Sequence, residues 1–184
     1  MIIFDGGPCF SDFRKHKLLL KLQAAQSNVL SLKANYQYFV DTASLLSERQ
    51  TAVLQSLLNC RCHSPATDFS TQLFLVVPRL GTISAWSSKA TEIARNCGLD
   101  CVLRVERGIA FSITTSITLD RSEEVTLAEL LYDRMIETIF FNISESSKIF
   151  MREDPVPVKA IDILDSGFEM FRQVNLNLGL ALSD

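Results

Sequence analysis

From residue 30 to residue 40 apolar and polar side chains alternate. Leu30, Leu32, Ala34, Tyr36, Tyr38 and Val40 face one way, and Ser31, Lys33, Asn35 and Gln37 face the other. A period of two predicts a long strand with one packed face. Residues 101–115 predict a second long strand, and the unbroken apolar run at 73–77 predicts a strand central in a sheet. Residues 2–4 read as a short strand that Gly6, Gly7 and Pro8 then turn. Helical spacing fills the gaps. Ser11 is a good N-cap for a helix reaching about Ala25. Ser47 and Gln50 make a capping box ahead of a stripe of Val53, Leu54, Leu57 and Leu58. Trp86, Ala90, Ile93, Ala94 and Cys97 form another stripe, with Gly98 placed for a left-handed C-cap. Thr126 and Glu129 predict a further capping box, opening a helix to about Phe141.

The plan repeats. The inward positions 30, 32, 36, 38 and 40 map onto 103, 105, 109, 111 and 113 by a constant shift, 103 − 30 = 73. The same shift carries Phe13 to Trp86, Leu20 to Ile93, and Leu54, Leu57 and Leu58 to Leu127, Leu130 and Leu131. It also carries Ile2, Ile3 and Phe4 to Leu75, Val76 and Val77. So long a period points to two fused copies of one β-α-β-α unit, with halves at about 1–70 and 71–143, and not to a solenoid. A polar strand face means that helices cover one side of the sheet. The expected fold is therefore α+β, a two-layer sandwich of two pseudo-repeated units, and not a doubly wound sheet. Sheet-on-sheet packing of the two units is the other option. Beyond 143 the texture changes. Residues 144–151 fit a short helix, "REDPVPVKAID" reads as a linker because Pro155 and Pro157 exclude helix, and helical spacing resumes after Gly167 with Phe168, Phe171, Val174 and Leu178. Residues 144–184 thus read as a linker and the start of a mostly helical second domain, cut short.

Composition narrows the function classes. Across 184 residues the formal charge is −3, which implies no broad nucleic-acid surface. No apolar run approaches the roughly 20 residues of a membrane span, and the N-terminus has no basic leader, so a cytoplasmic home is expected. Five cysteines without a secretion signal argue for free thiols. Cys60, Cys62 and His63 look like half of a metal site, but a closed zinc site wants four ligands, and no second Cys/His pair follows at the usual spacing. They read as structural thiols and a loop histidine. His16 lies among lysines and reads as a surface residue. Asp133 and Glu137 stand at i and i+4 near Arg134 and read as a solvated or salt-bridged helix face.

The stretch "GTISAWSSKATEIARNCG" follows a strand and carries a lysine at a helix start. A phosphate-cradling loop needs a second glycine directly before that lysine, whereas Ser88 precedes Lys89 and Gly81 stands alone. A three-glycine dinucleotide fingerprint is absent as well. On spacing alone Ser84 caps the helix and Ser87, Ser88 and Lys89 face solvent. A weak anion contact at the helix start stays open.

The wider pattern is more specific. Pro78, Arg79, residues 81–84, 86–91, Ile93, Ala94 and 96–99 are followed by Arg104, Glu106, Arg107 and Gly108, then by Asp133, Arg134, Met135, Glu137, Thr138 and Phe140. Together with "SDFRKHKLL" and "VNLNLGLALSD" this resembles the N-terminal region of the large formylglycinamide ribonucleotide amidotransferases, the phosphoribosylformylglycinamidine synthases of purine biosynthesis. Leu80 and Ala85 stand where the bacterial form is expected to have proline, which bears on loop rigidity and removes no chemical group. The resemblance implies a duplicated domain similar to two copies of a small companion subunit. A linker, an ATP-using synthase domain and a C-terminal glutaminase with a cysteine nucleophile would follow. It implies ATP and Mg²⁺ as cofactors of the full-length C–N ligase, with none bound by this segment. The synthase and glutaminase domains of the same polypeptide would be the partners, with no nucleic acid and no membrane. No catalytic, cofactor or metal residue is assigned, and the segment alone is expected to make no product. Arg79, Thr82, Ser84, Trp86, Ser87, Ser88, Lys89 and Arg107 are the candidate contact surface toward the synthase or its ligand. Two other classes remain open: a free-standing duplicated module that binds an effector, and a thiol or metal protein built on Cys60, Cys62 and His63.

Overall fold

The computed structural model describes residues 1–63, 71–151, 157, 160 and 163–180, for the last of these without the side chains of 163–166. Two compact units are present, Met1–Arg152 and Glu153–Asp184. In the first, β1 (Ile2–Pro8), α1 (Asp12–Ala25), β2 (Val29–Thr42), α2 (Glu48–Leu58) and β3 (Arg61–Cys62) are followed by β4 (Thr71–Pro78), α3 (Ala85–Asn96), β5 (Val102–Thr115), α4 (Arg121–Ala128) and β6 (Glu137–Phe140). The strands form one antiparallel sheet in the order β3-β1-β2-β5-β4-β6. The sheet-on-sheet option is thereby excluded, because β2 and β5 pair along almost their whole length and weld the two halves into a continuous surface.

The helices start where local chemistry dictates. Ser11, Ser47 and Ser84 accept the backbone N–H groups of Arg14, Gln50 and Ser87, and Ser47 with Gln50 closes the expected capping box. Gly98, with φ of +81°, ends α3 as expected. The helix expected from Thr126 to Phe141 is not formed. Asp120 is the N-cap, Glu123 closes its box, and α4 stops at Ala128. The chain then returns as β6, whose Ile139 and Phe140 lie beside Val76 and Leu75. Asp133 accordingly sits in the turn before β6 and Glu137 opens that strand, not a helix face, and the Glu137 carboxylate accepts the Asp133 N–H at 2.8 Å. Gly6, Gly7 and Pro8, expected to turn the chain, remain within β1 across a register irregularity.

Period-two geometry sorts the core onto two faces. On the helical face Leu32, Ala34, Phe74, Phe111 and Ile113 pack with Leu22 and Leu127, and Phe4, Tyr38, Val40 and Val105 pack with Leu54 and Ala94. Each such fully buried leucine contributes about 1.5–3 kcal/mol. On the opposite face a 3-10 segment, Ile143–Phe150, covers Phe39, Leu75 and Val77 with Ile149 and Phe150. Leu30 and Leu103, expected inward, are 58% and 46% exposed. The ladder skips both: Val29 and Ser31 pair with Thr115 and Thr114, and Asp41 and Thr42 pair with Arg104 and Val102. A bulge at each leucine turns it out and delivers Val29 and Val102 to the core instead. Ile93 and Cys97 are exposed too, because Ser87, Thr91 and Ala94 take the buried stripe of α3, and Phe13 on α1 is also exposed.

Element starts fall at a spacing of 73: Ser11 and Ser84, Val29 and Val102, Ser47 and Asp120. The first strands depart from it. Phe4 lies opposite Tyr38 and Phe74 opposite Phe111, so β1 and β4 correspond at 74 − 4 = 70, not 73. The loss of three residues falls in the β4–α3 connection's counterpart, outside the regular elements. In the second unit α5 (Ile163–Leu178) exposes Phe168 and Leu178 and breaks helical geometry at Gly167. Most of the expected linker lies outside the described residues.

Gly108 marks the tightest crossing of β4 and β5, since a Cβ there would lie 2.6 Å from the Val76 carbonyl oxygen. Gly108→Ala should therefore destabilise the first unit by about 1–3 kcal/mol. Gly7→Ala, which meets nothing within 4 Å, should change stability by less than about 0.5 kcal/mol. Urea unfolding of the two variants beside the parent checks both.

Candidate functional site

Strand β4 pairs with β5 as far as Val76 and Ile109, and beyond that point no strand of the described residues borders β5 on that side. The connection to α3 crosses the gap. Its first consequence is that Thr91 Oγ1 accepts the buried Val105 N–H at 2.9 Å, in place of a strand carbonyl. The second is a buried ion pair. Glu106 is fully buried, and its Oε2 accepts Arg104 Nη2 at 2.6 Å. Its Oε1 accepts the Ser84 hydroxyl at 2.6 Å and the Arg107 backbone N–H at 3.3 Å. Arg104 also donates to the Thr82 carbonyl at 2.7 Å and to Ser87 Oγ at 3.4 Å, and its guanidinium lies 5.5 Å from the Phe150 ring centroid. Ser84 thus caps α3 through one lone pair while its proton goes to Glu106.

The expected contact residues divide between this knot and other places. Ser84, Ser87 and Thr82 belong to it. Ser87, expected in solvent, is fully buried because Arg104 reaches under the first turn of α3 to meet it. Ser88 and Lys89 are exposed, and Lys89 pairs with Glu92 at 3.0 Å. Arg79 donates to the Met135 carbonyl at 3.4 Å and lies apart from the pair. Arg107 points to the helical face, since neighbours on a strand alternate. There its guanidinium lies 4.4 Å from the Tyr36 centroid and 4.7 Å from that of Trp86, which itself stacks on Tyr38 at 5.7 Å. The sequence reading left Arg104 and Glu106 out of the contact set. Their signal is opposite charge at i and i+2 on the outward face of the second long strand.

Elsewhere, Asp5, Gln37 and His63 form a second polar cluster. His63 Nδ1 lies 2.7 Å from Asp5 Oδ1, which also accepts Gln37 Nε2 at 2.7 Å. Gln37, expected outward in water, is buried for this reason. All five cysteines are free thiols, and among the described residues no three His, Cys, Asp or Glu side chains converge on a metal position. No helix of the described residues is long and apolar enough to cross a membrane.

The strand-loop-helix that carries this knot lies inside residues 35–150, which match the family described as formylglycinamide ribonucleotide amidotransferase N-terminal. The chain belongs to that family. It therefore carries the N-terminal domain of an amidotransferase of purine biosynthesis. The matched span runs from within β2 to the end of the 3-10 segment and so takes in most of the ladder and the buried ion pair.

Two outcomes follow from the site. Arg104→Met leaves the Glu106 carboxylate buried with no opposite charge, and should cost about 3–5 kcal/mol of stability; adding Glu106→Gln should recover part of it, as read by urea unfolding. Burial, then the neighbouring Cys62 and Asp5, push the Cys60 thiol up to about 11. A raised value favours the neutral thiol, so at pH 8 iodoacetamide should label exposed Cys62 and Cys97 well before Cys60. Cys60 labelling should climb as pH rises toward 11, checked by peptide mass spectrometry.

Proposed function

We propose that the chain is the N-terminal structural and coupling domain of phosphoribosylformylglycinamidine synthase. In this reading it is non-catalytic and holds the ATP-using synthase and the glutaminase domains of the same cytoplasmic polypeptide in register. The whole enzyme converts an amide to an amidine. ATP with Mg²⁺ activates the amide oxygen, and ammonia released from glutamine displaces phosphate. Those groups would be bound by the other domains. The family match over 35–150 carries the reading. The polar groups at the start of α3 support it further, because Glu106, Arg104, Ser84 and Ser87 are spent on one another and order a loop. Chemistry that moves protons needs a group free to give or take one.

The scaffold is a doubled unit. Two strands of 14 residues each, two pairs of N-caps at the same spacing of 73, and a bulged leucine at 30 and again at 103 support a duplication. So does the ladder itself. Its pairing sums to 145, so Tyr36 lies opposite Ile109, the position its own shift of 73 selects. A twofold relation between halves passes through that pair. An effector site between the halves would need open space there, whereas the halves meet as a continuous hydrogen-bonded ladder, which favours the scaffold over the regulatory module.

The test removes this unit from an amidotransferase of the family and adds the 184-residue chain back, with either glutamine or ammonium as nitrogen source. Glutamine-driven synthesis should fall at least tenfold on removal and recover on addition, while ammonium-driven synthesis changes less. Product formed by the 184-residue chain alone, or a full glutamine-driven rate without it, overturns the reading.

A further inference from the structure

We propose that Arg107, with the apolar groove that shares its Trp86 wall, is a docking surface for an acidic and aliphatic segment of another domain: a carboxylate meets the Arg107 edge and a neighbouring aliphatic side chain enters the groove. The proposal rests on the interdomain reading above and names its chemistry.

The guanidinium of Arg107 is held between two aromatic planes, Tyr36 at 4.4 Å and Trp86 at 4.7 Å. The two rings engage the guanidinium through cation–π contact, which uses none of its N–H donors on a carboxylate. Among the described residues no carboxylate or carbonyl accepts from those donors. Three other arginines of the sheet and helices are spent: Arg104 on Glu106, Arg95 on the Val102 and Leu103 carbonyls, and Arg121 on Glu124. The nearest carboxylate in sequence, Glu106, points to the other face and is committed to Arg104 and Ser84. A guanidinium cannot shed its proton, and its fork fits a carboxylate in two-point contact. The aromatic clamp also removes side-chain freedom in advance, which lowers the entropy cost of binding.

Beside it, α2 and α3 leave an open groove of about 210 Å³ lined by Leu54, Leu57, Leu58, Trp86, Ala90 and Ile93. Leu57 and Ile93 are 41% and 44% exposed there. Trp86 thus both lines the groove and contacts Arg107. A single uncompensated positive charge calls for one negative charge, and the apolar wall calls for an aliphatic neighbour. A Glu or Asp with a Leu or Ile one helical turn away supplies both. Lys89, the one charged side chain lining the groove, is paired with Glu92 at 3.0 Å, which leaves Arg107 to set the sign.

The experiment compares the 184-residue chain with the full-length amidotransferase. Phenylglyoxal modification of Arg107 and hydroxyl-radical labelling of Leu57 and Ile93 are read by peptide mass spectrometry. At least tenfold protection at Arg107, with several-fold protection of both groove residues, is expected in the full-length enzyme. In parallel, Arg107→Lys in the full-length enzyme is treated with a carbodiimide. The new amine should form an amide with an Asp or Glu outside residues 1–152, while Lys89 and Glu92 serve as the internal control. Equal modification of Arg107 in both proteins, or no such cross-link when the control pair couples, overturns the proposal. If other surfaces of the unit are protected in that case, the interdomain reading stands. If no surface of the unit is protected, that reading falls as well.

Discussion

The β2–β5 ladder is the constraint on which the remaining structure hangs. Two strands of 14 residues run antiparallel through the middle of the sheet, and every helix of the first unit packs on one side of them. Their register decides which residues reach that side, because a slip of one position would turn every core residue outward. The bulges at Leu30 and Leu103 protect the register at both ends. Each absorbs one residue, so Val29 and Val102 enter the core while the ladder between them stays in phase. The other strands add to an arrangement the central pair has already set.

The same alternation divides the charged residues of β5 by purpose. Arg104 and Glu106 share the face covered by the 3-10 segment, and Arg107 faces the helices. A fully buried carboxylate is costly unless it is paired and hydrogen-bonded. Glu106 satisfies that demand locally by collecting a guanidinium, a hydroxyl and a backbone N–H, and in doing so it specifies where α3 begins. Arg107, one residue on, lies over aromatic rings and has no acceptor among the described residues. One strand thus carries both an internally closed charge and an open one, separated by its own pleat.

Much of this was legible in the sequence where the cause is local. Ser11, Ser47 and Ser84 cap helices because the hydroxyl meets an amide three residues on, and that is a matter of spacing. The α+β class followed from a strand with one polar face. Other features depend on partners distant in sequence. Ser87 is buried because Arg104, 17 residues on, reaches it, and Gln37 because Asp5 lies on the adjacent strand. The misread helix near Phe141 has a different cause. Asp120–Glu123 and Thr126–Glu129 both match a capping box, and only packing of Phe140 on the sheet chooses the first. The bulges had no glycine or proline to announce them, so Leu30 and Leu103 were read as core.

If the unit is a doubled one, its halves must differ in order to meet a single partner in a single orientation. The spacing of 73 carries Phe13 and Ala34 onto Trp86 and Arg107. In the first half Phe13 is 77% exposed and Ala34 is a buried methyl. In the second half the matching pair is an indole stacked on a guanidinium. An exact twofold would offer the same edge twice and hold a partner ambiguously. Placing the cation on one side only converts a near-symmetric platform into a directional one, at the cost of a single residue in a strand whose fold does not otherwise need a charge there.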